Sequence, residues 1–119
     1  MRSQQEFMMI FRFSPDFTHR PSEQEINEMQ KQWGHFIGNL AIAEKLVSTN
    51  RLGFVGKQIQ PDLTVSEGIA SPEGKTISGY LVAKAQSIDE ATELAKECPI
   101  LKMNGTVEVR SIEPMEPQS

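Results

Sequence analysis

From Phe7 to Phe13 the chain reads Phe-Met-Met-Ile-Phe-Arg-Phe, apolar at every position except Arg12, and it is closed by Ser14-Pro15-Asp16. An apolar run this short, bounded by turn residues, is a strand covered on both faces and so a central one. Alternation puts Phe7, Met9, Phe11 and Phe13 on one face and Met8, Ile10 and Arg12 on the other. Arg12 is the only charge in the run and needs a polar surrounding.

The loop that follows carries Asp16, His19 and Arg20 and ends at Ser22-Glu-Gln-Glu25, a capping box that satisfies two free amide donors at a helix start. Ile26, Met29, Trp33, Phe36, Ile37 and Leu40 then form one apolar stripe, and the helical pattern runs to about Leu46. At about 100° per residue, Gly34, Gly38 and Ala41 share a flank suited to close packing, while His35 lies nearly opposite the stripe, facing solvent or a partner.

Between Val47 and Tyr80 the pattern breaks into short β-prone pieces, Leu52 to Val55, Leu63 to Val65 and Thr76 onward, separated by turn residues; this reads as hairpin with a long loop. Gly79 to Ala85 is a strand with Tyr80, Val82 and Lys84 on one face and Leu81, Ala83 and Ala85 on the other. Ser87-Ile-Asp-Glu90 is a second capping box, and its short helix stops at Cys98-Pro99. Thr106 to Ile112 alternates, giving Val107 and Val109 to the helix side and Glu108 and Arg110 to the other.

This order suits an α+β chain, a ferredoxin-like antiparallel sheet with both helices on one face and an inserted hairpin, as a single domain over 1–113 with a loose tail at 114–119. The 119-residue length leaves room for one core. Such a sheet has an open face, and here Met8, Ile10, Tyr80, Val82 and Ile112 fall on it beside Arg12, Lys84, Glu108 and Arg110. Apolar residues in one patch call for a partner, so the expected assembly is a homodimer through the sheet face, with a semi-polar cleft between sheets.

Twelve basic against 16 acidic residues, a net charge of -4, is the wrong sign for neutralising several phosphates, so nucleic acid is not an expected partner. The apolar runs fall far short of the ~20 residues of a membrane span. The single cysteine, Cys98, makes no internal disulfide, and nothing before Phe7 has a leader's layout; the expected location is cytoplasmic.

Trp33-Gly34-His35-Phe36 with Leu40, Gly79-Tyr80, Ser87-Ile88-Asp89-Glu90-Ala91, Cys98-Pro99 and Gly105-Thr-Val-Glu-Val-Arg110 occur in an order and spacing that resemble the YCII-related family and its DGPF-type branch, over about Phe7 to Ile112. The resemblance implies a small cytoplasmic dimer, an α+β barrel built from two ferredoxin-like sheets. It also implies a catalytic pair, a histidine in the first helix and an aspartate before the proline ending the second. This chain has Trp33 and Cys98 at those positions, so the pair is absent, and Glu67-Gly68-Ile69-Ala70 stands where the Asp-Gly-Pro-Phe motif belongs.

Few residues remain to carry chemistry. No spacing of His, Cys or acidic residues suggests a metal site, and no cofactor is expected. Cys98, at a helix C-terminus where the dipole is negative, reads as an inert thiol, and Trp33 as core. Arg12, Tyr80 and Arg110 are the candidate ligand-binding residues, since Glu108 neutralises only one arginine and the cleft is left positive, suited to a carboxylate or phosphate. The expected function is binding of a small anionic or aromatic ligand. An alternative is a metal-independent lactone isomerase, lyase or dehalogenase in which His19, Tyr80 or Glu108 moves the proton. Another, which the resemblance implies, is an accessory partner of a sigma-factor regulatory system.

Overall fold

A computed structural model of the chain describes residues 4–15, 18 and 20–115. Its main elements are β1 (Gln5–Phe13), α1 (Glu23–Ile42), β2 (Leu46–Arg51), β3 (Lys57–Ile59), β4 (Val65–Glu67), β5 (Thr76–Ala85), α2 (Ile88–Ala95) and β6 (Thr106–Ser111). Short 3-10 turns occupy Pro72–Gly74 and Pro99–Met103. Four strands form one antiparallel sheet in the order β2-β5-β1-β6, and β3 and β4 pair separately. The protein is therefore α+β, and β1 is central as its unbroken apolar run requires.

The odd-numbered face of β1 makes the core. Met9 and Phe11, with Leu81 and Ala83 of β5, pack under Phe36 and Leu40 of α1 and Ala95 of α2, while Phe7 and Ala85 pack with Ala91. Both helices thus cover one face of the sheet. At the head of α1 the capping box is complete: the Glu25 amide donates to Ser22 Oγ at 3.1 Å, and the Ser22 amide donates to Glu25 Oε1 at 3.4 Å.

Several local expectations need correction. α1 stops at Ile42, not near Leu46, because the chain turns left-handed at Glu44 (φ 60°). The Lys45 amide then donates to the Leu40 carbonyl and the Glu44 amide to the Ala41 carbonyl, the double bond pattern of a Schellman stop. Leu46 begins a strand that the helical stripe had masked. Leu52 to Val55 is not a strand, and β4 starts only at Val65. The second capping box is half made: Ser87 Oγ accepts from the Glu90 amide at 3.1 Å, but the Glu90 carboxylate engages Lys45 Nζ at 3.0 Å instead of closing on Ser87. That ion pair ties α2 to the chain entering β2, and it holds the Glu90 carboxyl below its ordinary pKa, chiefly through the Lys45 hydrogen bond. Gly34 and Gly38 meet open space where their Cβ atoms would be, so among the described residues no backbone outside their own helix approaches them.

Gly79 does carry a steric requirement. A Cβ there would lie 2.7 Å from the Asn50 carbonyl oxygen, because β2 approaches β5 closely where Arg51 pairs with Gly79.

β3 and β4 form an arm whose substantial contacts are between its own strands. Ile59 faces Val65 across it and Lys57 faces Glu67, an ion pair at 3.1 Å. The Cα radius of gyration is 16.6 Å, against about 13.5 Å for a compact chain of this length. No helix among the described residues is long and apolar enough to cross a membrane.

Candidate functional site

The sheet face away from the helices presents side chains of four strands. Pairing sets Ile10 between Tyr80 on β5 and Glu108 on β6, and Met8 between Val82 and Arg110; Asn50 of β2 lies beyond Tyr80. Alternation along each strand therefore delivers to one surface the residues that it promised.

They form two centres, not one. Arg12 Nη1 donates to Glu108 Oε1 at 2.6 Å, and Arg110 Nη1 donates to Glu108 Oε2 at 3.3 Å, so one carboxylate is shared by two guanidinium groups, one on each oxygen. The Arg12 hydrogen bond foremost, then the Arg12 charge and the Arg110 contact, hold the Glu108 carboxyl below its ordinary pKa against the opposing effect of desolvation. The cluster keeps one net positive charge. Tyr80 lies on the far side of β1, roughly 10 Å away at two strand spacings, where its hydroxyl accepts a hydrogen bond from Asn50 Nδ2 at 2.8 Å. Arg12 and Arg110 thus stand together, and Tyr80 stands apart from them on the same face. His19 lies outside the described residues.

Asn50 was not legible as a site residue because β2 was not read as a strand. The signal available was the polar alternation of Ser48 and Asn50 after Val47, which fits one open face.

The apolar floor of the face is less exposed than the residue types suggest. Val82 keeps only 6% of its surface, and Met8, Ile10, Tyr80 and Ile112 are all half-buried. Val82 sits on an inner strand, paired with Met8 on one side and Ser48 on the other. The expectation of a broad exposed apolar patch on this face is therefore corrected.

On the helix side, an open groove of about 660 Å3 runs between α1 and the turn at Pro99–Met103, with Phe36, Leu94 and Pro99 along its floor and Lys31, His35 and Lys102 on its rim. His35 is exposed, as its angle around α1 requires. Among the described residues no three His, Cys, Asp or Glu side chains converge to hold a metal ion.

Cys98 lies inside the core, and Trp33, half-buried, packs against it. The Trp33 ring meets Phe11 edge-on at 5.3 Å and Phe36 at 6.1 Å, and Cys98 packs in the same cluster. Burial pushes the Cys98 thiol up to about 11. A protonated thiol among apolar neighbours is packing material, not a nucleophile.

These features define a small α+β protein with both helices on one side of a four-stranded sheet and a charged, partly apolar surface on the other. Residues 6–116 match the YCII-related domain family, and the chain belongs to that family. A search of curated proteins found no match.

Proposed function

We propose that this chain is a cytoplasmic, homodimeric small-molecule-binding protein of the DGPF-type branch, holding a small anionic ligand on its open sheet face. The strand order β2-β5-β1-β6 with two helices on one side is the ferredoxin-like arrangement, and two such sheets placed face to face would make an α+β barrel with the charged cluster inside. The observation that carries the reading is the sharing of Glu108 between Arg12 and Arg110. One carboxylate cannot satisfy the donors of two guanidinium forks, which leaves donors suited to a carboxylate or phosphate. Tyr80, steadied by Asn50, supplies an aromatic wall for the organic part of the ligand.

Binding suits these groups better than proton transfer. Glu108 is kept ionised and engaged on both oxygens, which removes it as an acid and weakens it as a base. At the positions where the family resemblance puts a histidine and an aspartate stand Trp33, half-buried against the core, and Cys98, enclosed in it.

A thermal-shift screen of small mono- and dicarboxylates and phosphates tests the reading. A ligand at about a hundred times its Kd stabilises the folded state by ~2.7 kcal/mol. The expected result is a clear upward shift with wild type that is largely lost in Arg12→Ala and in Arg110→Ala. Each variant keeps the other arginine on Glu108, so neither strands a carboxylate. Equal shifts in all three proteins would rule out the arginine cluster as the site.

A further inference from the structure

Apart from Ile42 and Met115, the most exposed apolar side chains lie on and beside the β3–β4 arm and not on the sheet face: Val55 keeps 100% of its surface, Leu63 79%, Ile59 70% and Val65 56%. Ile59 and Val65 are directly paired across the ribbon, so they form one apolar strip, and Leu63 stands at its tip. A two-stranded ribbon with its strip in water is marginal on its own.

Leu63 is held in an unusual way. The Gln60 amide donates to the Thr64 carbonyl and the Leu63 amide to the Gln60 carbonyl, both at 2.8 Å, while the Asp62 carboxylate accepts from the Thr64 amide and hydroxyl. This turn puts Leu63 at φ 72°, the left-handed position that ordinarily takes glycine. A bulky apolar residue in a strained backbone, with its side chain in solvent, points to a contact outside its own chain.

We propose that the β3–β4 hairpin is an embracing arm that reaches onto a second copy of this chain and seats Leu63, Ile59 and Val65 against it. The proposal rests on the homodimer reading and adds to it the element that makes the interface large enough. At about 60–120 Å2 for a fully exposed aliphatic side chain, the four arm residues offer about 200–350 Å2. A stable dimer buries on the order of 800 Å2 per partner. The sheet face offers less apolar area to such an interface than its residue types suggest, because Val82 is already buried and its apolar neighbours are half-buried.

Charge favours a second copy of this chain as the occupant. The Lys57–Glu67 ion pair cancels within the arm, and Asp62, held by Thr64, leaves it one net negative charge. That charge is opposite in sign to the Arg12–Glu108–Arg110 cluster of a second copy. Phe54, tilted at 45° to Phe13 with ring centroids 6.4 Å apart, ties the root of the arm to the end of β1.

Sedimentation of the full chain, with three variants, tests this. Leu63→Gly removes the anchor at a position whose backbone favours glycine, so folding is preserved. Ile59→Thr with Val65→Thr keeps the strands while removing the apolar strip. Met8→Glu disturbs the sheet face and lies opposite Arg110, which can pair with it. The proposal expects a wild-type dimer at micromolar concentration whose dissociation constant rises at least tenfold in both arm variants, with circular dichroism unchanged. It also expects slower amide exchange in 57–67 above the dissociation constant than below it. If Met8→Glu dissociates the dimer while both arm variants and the amide exchange stay as in wild type, the arm proposal is overturned and the sheet-face reading stands. If the arm variants dissociate it and Met8→Glu does not, the arm stands and the sheet-face reading falls. A wild-type monomer overturns both.

Discussion

The Arg12 guanidinium and the Glu108 carboxylate meet at 2.6 Å although they are not register partners: β1 pairs Ile10 with Glu108, and Arg12 reaches diagonally from two residues further on. Diagonal neighbours on one sheet face lie within reach of long side chains, and Arg12 uses that reach to leave Ile10 between Tyr80 and Glu108. The charged cluster and the tyrosine therefore share one face with an apolar residue between them.

The first prediction concerns protonation of that carboxylate. Its folded-state pKa is depressed, so its ion pairs contribute stability above the unfolded value of about 4.3, and that contribution is lost as pH falls through the lower folded value. In a carbon-detected NMR titration the Glu108 carboxyl should have its midpoint below 4.3. Arg12→Ala should move it upward more than Arg110→Ala does, because the Arg12 hydrogen bond is the larger cause. Identical midpoints in the three proteins would show that the pairs do not persist in solution.

Cys98 should behave as the reverse case. Its thiol is pushed up to about 11, so its burial stabilises the fold below the unfolded value of about 8.5 and loses that contribution as pH climbs toward 11. Labelling of the native protein with a thiol reagent near pH 8 should follow the rate of unfolding, whereas labelling in denaturant should be immediate. Rapid stoichiometric labelling of the folded chain would place this thiol outside the core.

At Gly79 an added methyl should destabilise. Ordinary strand glycines gain from replacement by alanine, but here the new Cβ meets the Asn50 carbonyl oxygen at 2.7 Å, so β2 must move outward and the Asn50–Tyr80 hydrogen bond goes with it. Gly79→Ala should cost about 1–3 kcal/mol in urea denaturation. A more stable variant would mean that β2 does not lie this close.

Glu44→Gly should act in the opposite direction. Glu44 holds the left-handed position at the end of α1, and relief of that backbone strain outweighs the added freedom of glycine in the unfolded chain. The expected gain is roughly 0.5–1 kcal/mol by denaturant midpoint at unchanged slope. A loss of stability would show that the Glu44 side chain does more than occupy the turn.

That same residue explains where sequence reading stopped. β1 was legible because its alternation and bounding turn leave no other structure, and the head of α1 because Ser22 and Glu25 state a chemical bargain in the residues themselves. The end of α1 was not, since the left-handed stop is made by a glutamate where a glycine would have announced it, and β2 vanished into the helical stripe with Leu46. The placement of Arg12, Glu108 and Arg110 on one face follows from alternation, yet their sharing of one carboxylate depends on inter-strand register, which no single strand encodes. The separation of the arm from the body is likewise invisible to local patterning. Its residues read as loop and strand fragments, and only the absence of substantial contacts to other elements reveals a free-standing ribbon.

The antiparallel neighbours β2 and β5 are joined through the arm, so the Arg51–Gly79 pair cannot form until everything between them has looped out. Closing that loop is a matter of chain statistics, and each doubling of its length adds only about 0.6 kcal/mol. Lengthening or trimming the ribbon should therefore change folding speed and stability very little, while β1, whose partners β5 and β6 both come late in the chain, sets the pace. The fold can carry an appendage here almost independently of what the rest of the sheet requires, so the limits on the arm's length and sequence come from what it touches and not from the folding of the body.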